Sequence, residues 1–278
     1  MKPQQLLFSC SLVIFLGCGG GGQVAPEAAH ADGGYEGDSS KVTLPADGGL
    51  TLIPREKLLL LESVATKHAT GVWGKEIAVG EPLTIEAEDG EHGLMAFPVA
   101  LGTTQAPDLA QLREHFVQES RPLLNSRLTL QDLRKSQDYQ SYRTAITPRL
   151  RQYGTIYVSM SQENYPVVRV AHELHPYFYQ AHLAQQAVAN QTGSSAEVLG
   201  IELVEPAYEY LVIESAGQRV LVHLPTLLSS EEIMAAAQSH DDKRSRPSPR
   251  TENEPEENEA ARDEMQKEIA GLWERYNG

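Results

Sequence analysis

The run 208-YEYLVIESAGQRVLVHL-224 decides the fold. Two β-prone segments, 208–215 and 219–224, flank Ala216-Gly217, a pair small enough to turn the chain back as a hairpin. Side chains alternate along a strand, so Leu211 and Ile213 share one face while Tyr210 and Val212 share the other. Both faces are apolar, and a sheet of that kind must be covered on both sides.

Working outward, the segments 155–161, 167–174 and 198–204 read as further strands. Between them, 176–189 has helix-forming composition and stops before Gln191-Thr192-Gly193. Toward the N-terminus, 93–100 is expected to be a buried strand, since Leu94-Met95-Ala96-Phe97 has no polar face. Residues 76–88 alternate but break at Gly80 and Pro82.

Helices dominate the first half. Pro54 opens one that the spacing of Leu58, Leu61 and Ala65 carries to about Ala69, with Gly71 expected to end it. Asp108 is an N-cap for a helix with Leu109, Leu112 and Phe116 on one face. Thr129 begins a broken helical stretch to Leu150 with a capping-box-like start. Helices mixed irregularly with hairpin-type strands predict an α+β class: a single domain over 50–238, helices in its N-terminal half and strands in its second. A polar linker, 239–259, precedes a separate amphipathic helix, 260–277. Met265, Ile269, Leu272, Trp273 and Tyr276 line one face of that helix, a stripe for its own domain or for a partner protein.

The first 22 residues, MKPQQLLFSCSLVIFLGCGGGG, carry Lys2 and then a short apolar run from Leu6 to Leu16. Eleven residues at 1.5 Å each cover about half of a ~30 Å hydrocarbon layer, so the pattern is that of an export signal rather than a span. The run closes in Phe15-Leu16-Gly17-Cys18, which resembles the lipobox of bacterial lipoproteins. The resemblance implies cleavage after residue 17, lipid on the Cys18 sulfur and a further acyl group such as palmitate on the new amine. Each buried CH₂ adds about 0.8 kcal/mol, so several chains make a lasting membrane anchor. It also implies the cell envelope, with the outer membrane favoured in a cell that has one, because Gly19 rather than Asp follows the cysteine. Residues 18–49, rich in Gly, Ala, Asp and Ser, are expected to form a flexible tether with a reach of roughly 30 Å. Secretion without lipid, by ordinary cleavage at Ala29-His30-Ala31, is the rival reading.

Net charge is −15, a surface that disfavours nucleic acid. The sequence has 2 cysteines, and removing Cys10 while lipidating Cys18 leaves no thiol for disulfides or cysteine catalysis. No nucleophile elbow or phosphate loop is present. One cluster carries metal chemistry in principle: 171-AHELHP-176, with His182 beyond it. His172, His175 and His182 are zinc-type donors, and Glu173 beside them suggests a metal-dependent hydrolase. The spacing is HExH rather than HExxH, and on a strand it sends His172 and His175 to opposite faces. Two looser groups remain. The arginines 121, 127, 134, 143, 149 and 151 form a basic section, and the tyrosines 153, 157, 165, 177, 179, 208 and 210 offer amphipathic contact area. Together these readings favour a lipid-anchored envelope protein that binds or scaffolds, without a cofactor and more in the manner of a binding module than an enzyme.

Overall fold

The computed structural model describes residues 41–46, 49–87, 93–204, 208–230, 232–233 and 256–277. Cys18, the signal segment, residues 18–40 of the expected tether and most of the 239–259 linker lie outside the described residues.

The fold begins before the expected boundary at residue 50. Strands β1 (Lys41–Ala46) and β2 (Gly49–Pro54) pair antiparallel, so the tether reading does not hold for residues 41–46 and 49. Helix α1 (Arg55–Trp73) follows Pro54 directly and buries Leu61, Val64, Ala65 and Ala69. It runs through Gly71 and stops at Gly74, whose φ of 89° a side chain would resist. A helical glycine costs only about 1 kcal/mol against alanine, and the last turn recovers it through Trp73, whose ring packs over Gly154. A Cβ on Gly154 would sit 2.5 Å from that ring.

Strands β3 (Ile77–Val79) and β4 (Leu83–Ala87) are separated by the Gly80–Pro82 break and pair in tandem along one edge of β5 (Leu94–Leu101). The Asp108 carboxylate caps α2 (Leu109–Glu119) by accepting from the Gln111 N–H at 2.9 Å. A short α3 (Arg121–Leu124) leads to α4 (Leu130–Lys135), with Thr129 as its cap. The expected break falls at Ser136, which caps α5 (Gln137–Leu150). Strands β6 (Tyr153–Ser159) and β7 (Val167–Ala171) precede α6 (Tyr177–Thr192), closed by Gly193 in the left-handed region. Then come β8 (Ala196–Val204), β9 (Tyr208–Ser215), β10 (Gln218–His223) and β11 (Leu228–Ser229), and last α7 (Glu256–Asn277). Ala216 and Gly217, with φ of 53° and 72°, make the two-residue turn between β9 and β10.

These elements form an α+β domain around a 9-stranded mixed sheet of order β11-β10-β9-β8-β4-β5-β6-β7, with β3 beside β4 on β5. The β4–β8 pair is the one parallel step among the described strands. Strand β5 alternates cleanly between two cores. Met95, Phe97 and Val99 join α1 and α7 on one face, while Leu94 and Ala96 join the layer from α2 to α6 on the other. Burial on both sides explains why its sequence has no polar face. Tyr210, Leu211, Val212 and Ile213 of the hairpin are likewise all buried.

Helix α7 is not a separate element. Ile269 and Trp273 are each 3 % exposed in the same core as α1, and the Trp273 Nε1–H donates to the Asn164 carbonyl at 2.8 Å. Tyr276 packs at the edge of that core, beneath the Lys67 ammonium, and Leu272 is half-buried. Met265 alone of the expected partner stripe stays open, at 42 %. The stripe is taken up by its own domain because α1 and the strands beneath it present a matching apolar surface.

Candidate functional site

The three histidines singled out for metal binding go three ways. Strand β7 ends at Ala171, leaving His172 exposed, its Nδ1 accepting from the Trp73 Nε1–H at 3.2 Å. His175, 1 % exposed, turns inward at the start of α6. Its Nδ1 accepts from the Tyr177 backbone N–H at 3.1 Å, which fixes the proton on Nε2, and Nε2 donates to Glu209 Oε2 at 2.7 Å. His182, about two turns further along α6, has Nε2 2.7 Å from Ser120 Oγ. Ser120 gives its own proton to the Val117 carbonyl, so His182 donates from Nε2, and its buried Nδ1 has no protein partner. Odd spacing across a strand end sends the rings apart, and Glu173 stays exposed beside His172. Among the described residues no group of three or more His, Cys, Asp or Glu side chains converges as a metal site.

What the structure assembles instead is a buried charge cluster. Glu209, 5 % exposed, is held through Oε1 by Arg169 and through Oε2 by His175. Arg169 lies opposite Tyr157 in the β6–β7 pair and stacks over its ring at 3.8 Å. In the sheet order four strands separate β7 from β9, so this ion pair closes across a strongly coiled sheet. Burial pushes the Glu209 carboxyl up, but the hydrogen bond and attraction of His175, with Arg169 behind them, outweigh it and hold the carboxyl below its usual range. Burial, followed by the nearby Arg113 cation, drives His182 down to about 4. Both Glu209 oxygens are engaged, so the group acts as a latch between β9 and the start of α6 rather than as a free acid or base. One sequence signal for it exists: Glu209 shares its face with Leu211 and Ile213, and a carboxylate on a covered face needs partners.

Neither of the looser groups forms a surface. Tyr157, Tyr177, Tyr179 and Tyr210 are core residues, Tyr153 is half-buried, and only Tyr165 and Tyr208 are well exposed, at 42 % and 43 %. The Tyr142 hydroxyl donates to the Tyr179 carbonyl at 3.1 Å, and Arg143 sits over the Tyr179 ring at 5.0 Å. Arg149 pairs with Glu119 at 2.9 Å and Arg134 with Glu232 at 2.5 Å. Arg121, Arg127 and Arg151 are exposed on separate helix ends and turns.

A groove of about 560 Å³ runs between the start of α4, the last turn of α6 and the strands β10 and β11. Gln131, Gln191 and Gln218 present exposed amides to it, with Ser230 beside them. The two charged lining residues among the described ones are already paired, Arg219 with Glu202 and Glu232 with Arg134. The groove floor includes β10, which β11 covers only at Val222 and His223. No motif announces this site, since its walls come from four elements distant in sequence. The chain matches no family model, no curated protein and no solved structure.

Proposed function

We propose that the chain is a lipid-anchored binding protein of the bacterial cell envelope. Acyl chains on Cys18 hold it to the membrane, and the groove over β10 receives an uncharged polar ligand. The observation that carries the binding half is the groove's lining: amides and hydroxyls around 560 Å³, with the charges among the described lining residues already neutralised by neighbours. Such a lining favours hydrogen-bonding neutral groups, because a charged ligand would lose hydration without gaining a free counter-charge. A metal-dependent hydrolase on His172, Glu173 and His175 is set aside, since each imidazole serves a different partner. The anchoring half rests on the lipobox-like Phe15–Cys18 run.

Cys18→Ser tests the anchor. The parent should partition into detergent on phase separation and the variant into water; equal partitioning ends the lipoprotein reading and leaves secretion. Hydrogen exchange on the mature chain tests the groove. A soluble envelope extract should slow exchange at 218–221 in the parent, and should not do so once Gln191→Trp fills the cavity.

A further inference from the structure

We infer that the groove takes an extended, uncharged peptide segment of a partner protein, added to the sheet as a new strand beside Gln218–Leu221. This rests on the reading of the groove as a binding site and names what occupies it. The two-residue turn at Ala216-Gly217 makes Ser215 and Gln218 the hydrogen-bonded closing pair of the hairpin. Inward and outward backbone groups then alternate, so Gln218, Val220 and Val222 bond to β9 while Arg219 and Leu221 turn their N–H and C=O outward. The same parity makes His223 the next outward residue, and β11 meets it there, opposite Leu228. Among the described residues no strand meets the outward groups of Arg219 or Leu221.

An unpaired edge is usually blunted by a charge, a proline or a bulge. Here the one charge, Arg219, is drawn to Glu202, and no proline or register shift interrupts 218–221. Beyond β10 lies a cavity rather than packed protein, and the exposed amides of Gln131 and Gln191 line it with the strand. Peptide backbone repeats its outward groups about every 6.8 Å, the repeat of Arg219 and Leu221. A glycan is the other uncharged polymer, but among the described residues no aromatic side chain lines the groove to stack a sugar ring. Charge fits as well: a strongly acidic chain, at −15, leaves this groove locally neutral, so neutral side chains such as Ser, Thr, Asn and Gln are accommodated.

The test uses the full mature chain and an array of ten-residue peptides composed of Ser, Thr, Asn, Gln and Val, together with glycan strands released from peptidoglycan. Peptides that bind are remade in two forms, with backbone N-methyl groups on the odd or on the even residues. Strand addition requires one form to lose binding at least about tenfold and the other to keep it, because only one side of the added strand faces β10. Leu221→Pro, which removes an outward N–H without touching the β9 ladder, should weaken the same peptides about tenfold. Gln191→Trp should abolish binding of anything in the groove. Loss with Gln191→Trp but equal binding of both N-methyl forms keeps the groove and overturns strand addition, as does binding of glycan strands alone. Binding untouched by Gln191→Trp overturns the groove itself, and an array without a binder overturns the inference.

Discussion

The pH dependence of stability should carry the signature of His182. Its ring is 9 % exposed, Nε2 is bound to Ser120 and Nδ1 faces no protein donor or acceptor, so protonation has nowhere to place the charge. The folded-state value of about 4 lies below the unfolded 6.5, because burial and then Arg113 oppose the cation. The unfolded chain therefore binds the proton first, and stability falls as pH drops from above 6.5 toward 4. The separation gives a loss of about 2 kcal/mol by pH 5 and about 3 kcal/mol by pH 4 from this one residue. Urea unfolding at several pH values between 7 and 5 measures it, a window above the range in which Glu209 titrates. His182→Gln keeps an N–H for Ser120 but cannot titrate, so its stability curve should be flatter than the parent's by about 2 kcal/mol across the window. Parallel curves for the two proteins would refute the reasoning, whatever the absolute stability of the variant.

Two further outcomes follow from the packing. Glu209→Ala strips Arg169 of its buried counter-charge and His175 of its acceptor, and should cost about 3 kcal/mol in urea unfolding, the lower end for a buried pair because Arg169 is half exposed. The carboxyl is held low, so its stabilisation is present above the unfolded carboxylate value and is lost as pH falls through the folded one; the variant should lack that acid limb below about pH 4. Trp273→Ala removes a buried indole and its bond to Asn164 and should cost about 3–5 kcal/mol, with removal of 256–278 lowering the melting temperature rather than leaving it unchanged.

The hairpin at 208–224 and the strand at 93–100 were legible because burial on both faces writes itself into consecutive apolar residues. Caps at Asp108 and Thr129 were legible because they are local. Misreadings have physical sources. Gly71 marks a helix end only when packing beyond it is absent, and Trp73 supplies that packing. The β1 segment, KVTLPA, alternates Val42 and Leu44 but sits among Gly, Ala and Asp, whose composition outweighed two apolar residues. For the site, HExH and the His182 beyond it gave three histidines but not their directions. His175 finds its partner 34 residues away on a strand whose place in the sheet depends on the β4–β8 parallel step. That step is a matter of topology, which one sequence does not display.

The closure of one core by α7 has a consequence for how the protein is made. The face carrying Met95, Phe97, Ile156 and Val158 is synthesised well before Ile269 and Trp273, the residues that complete its cover. At a typical 5–20 residues per second, the last strand of that face waits roughly ten seconds for its lid. During that interval α1 already lies on the face, and what stays open is the part that Ile269 and Trp273 later close. A chain stopped before residue 256 leaves that part open, so the cover over this core is finished only by a segment made about a hundred residues after the strands it protects.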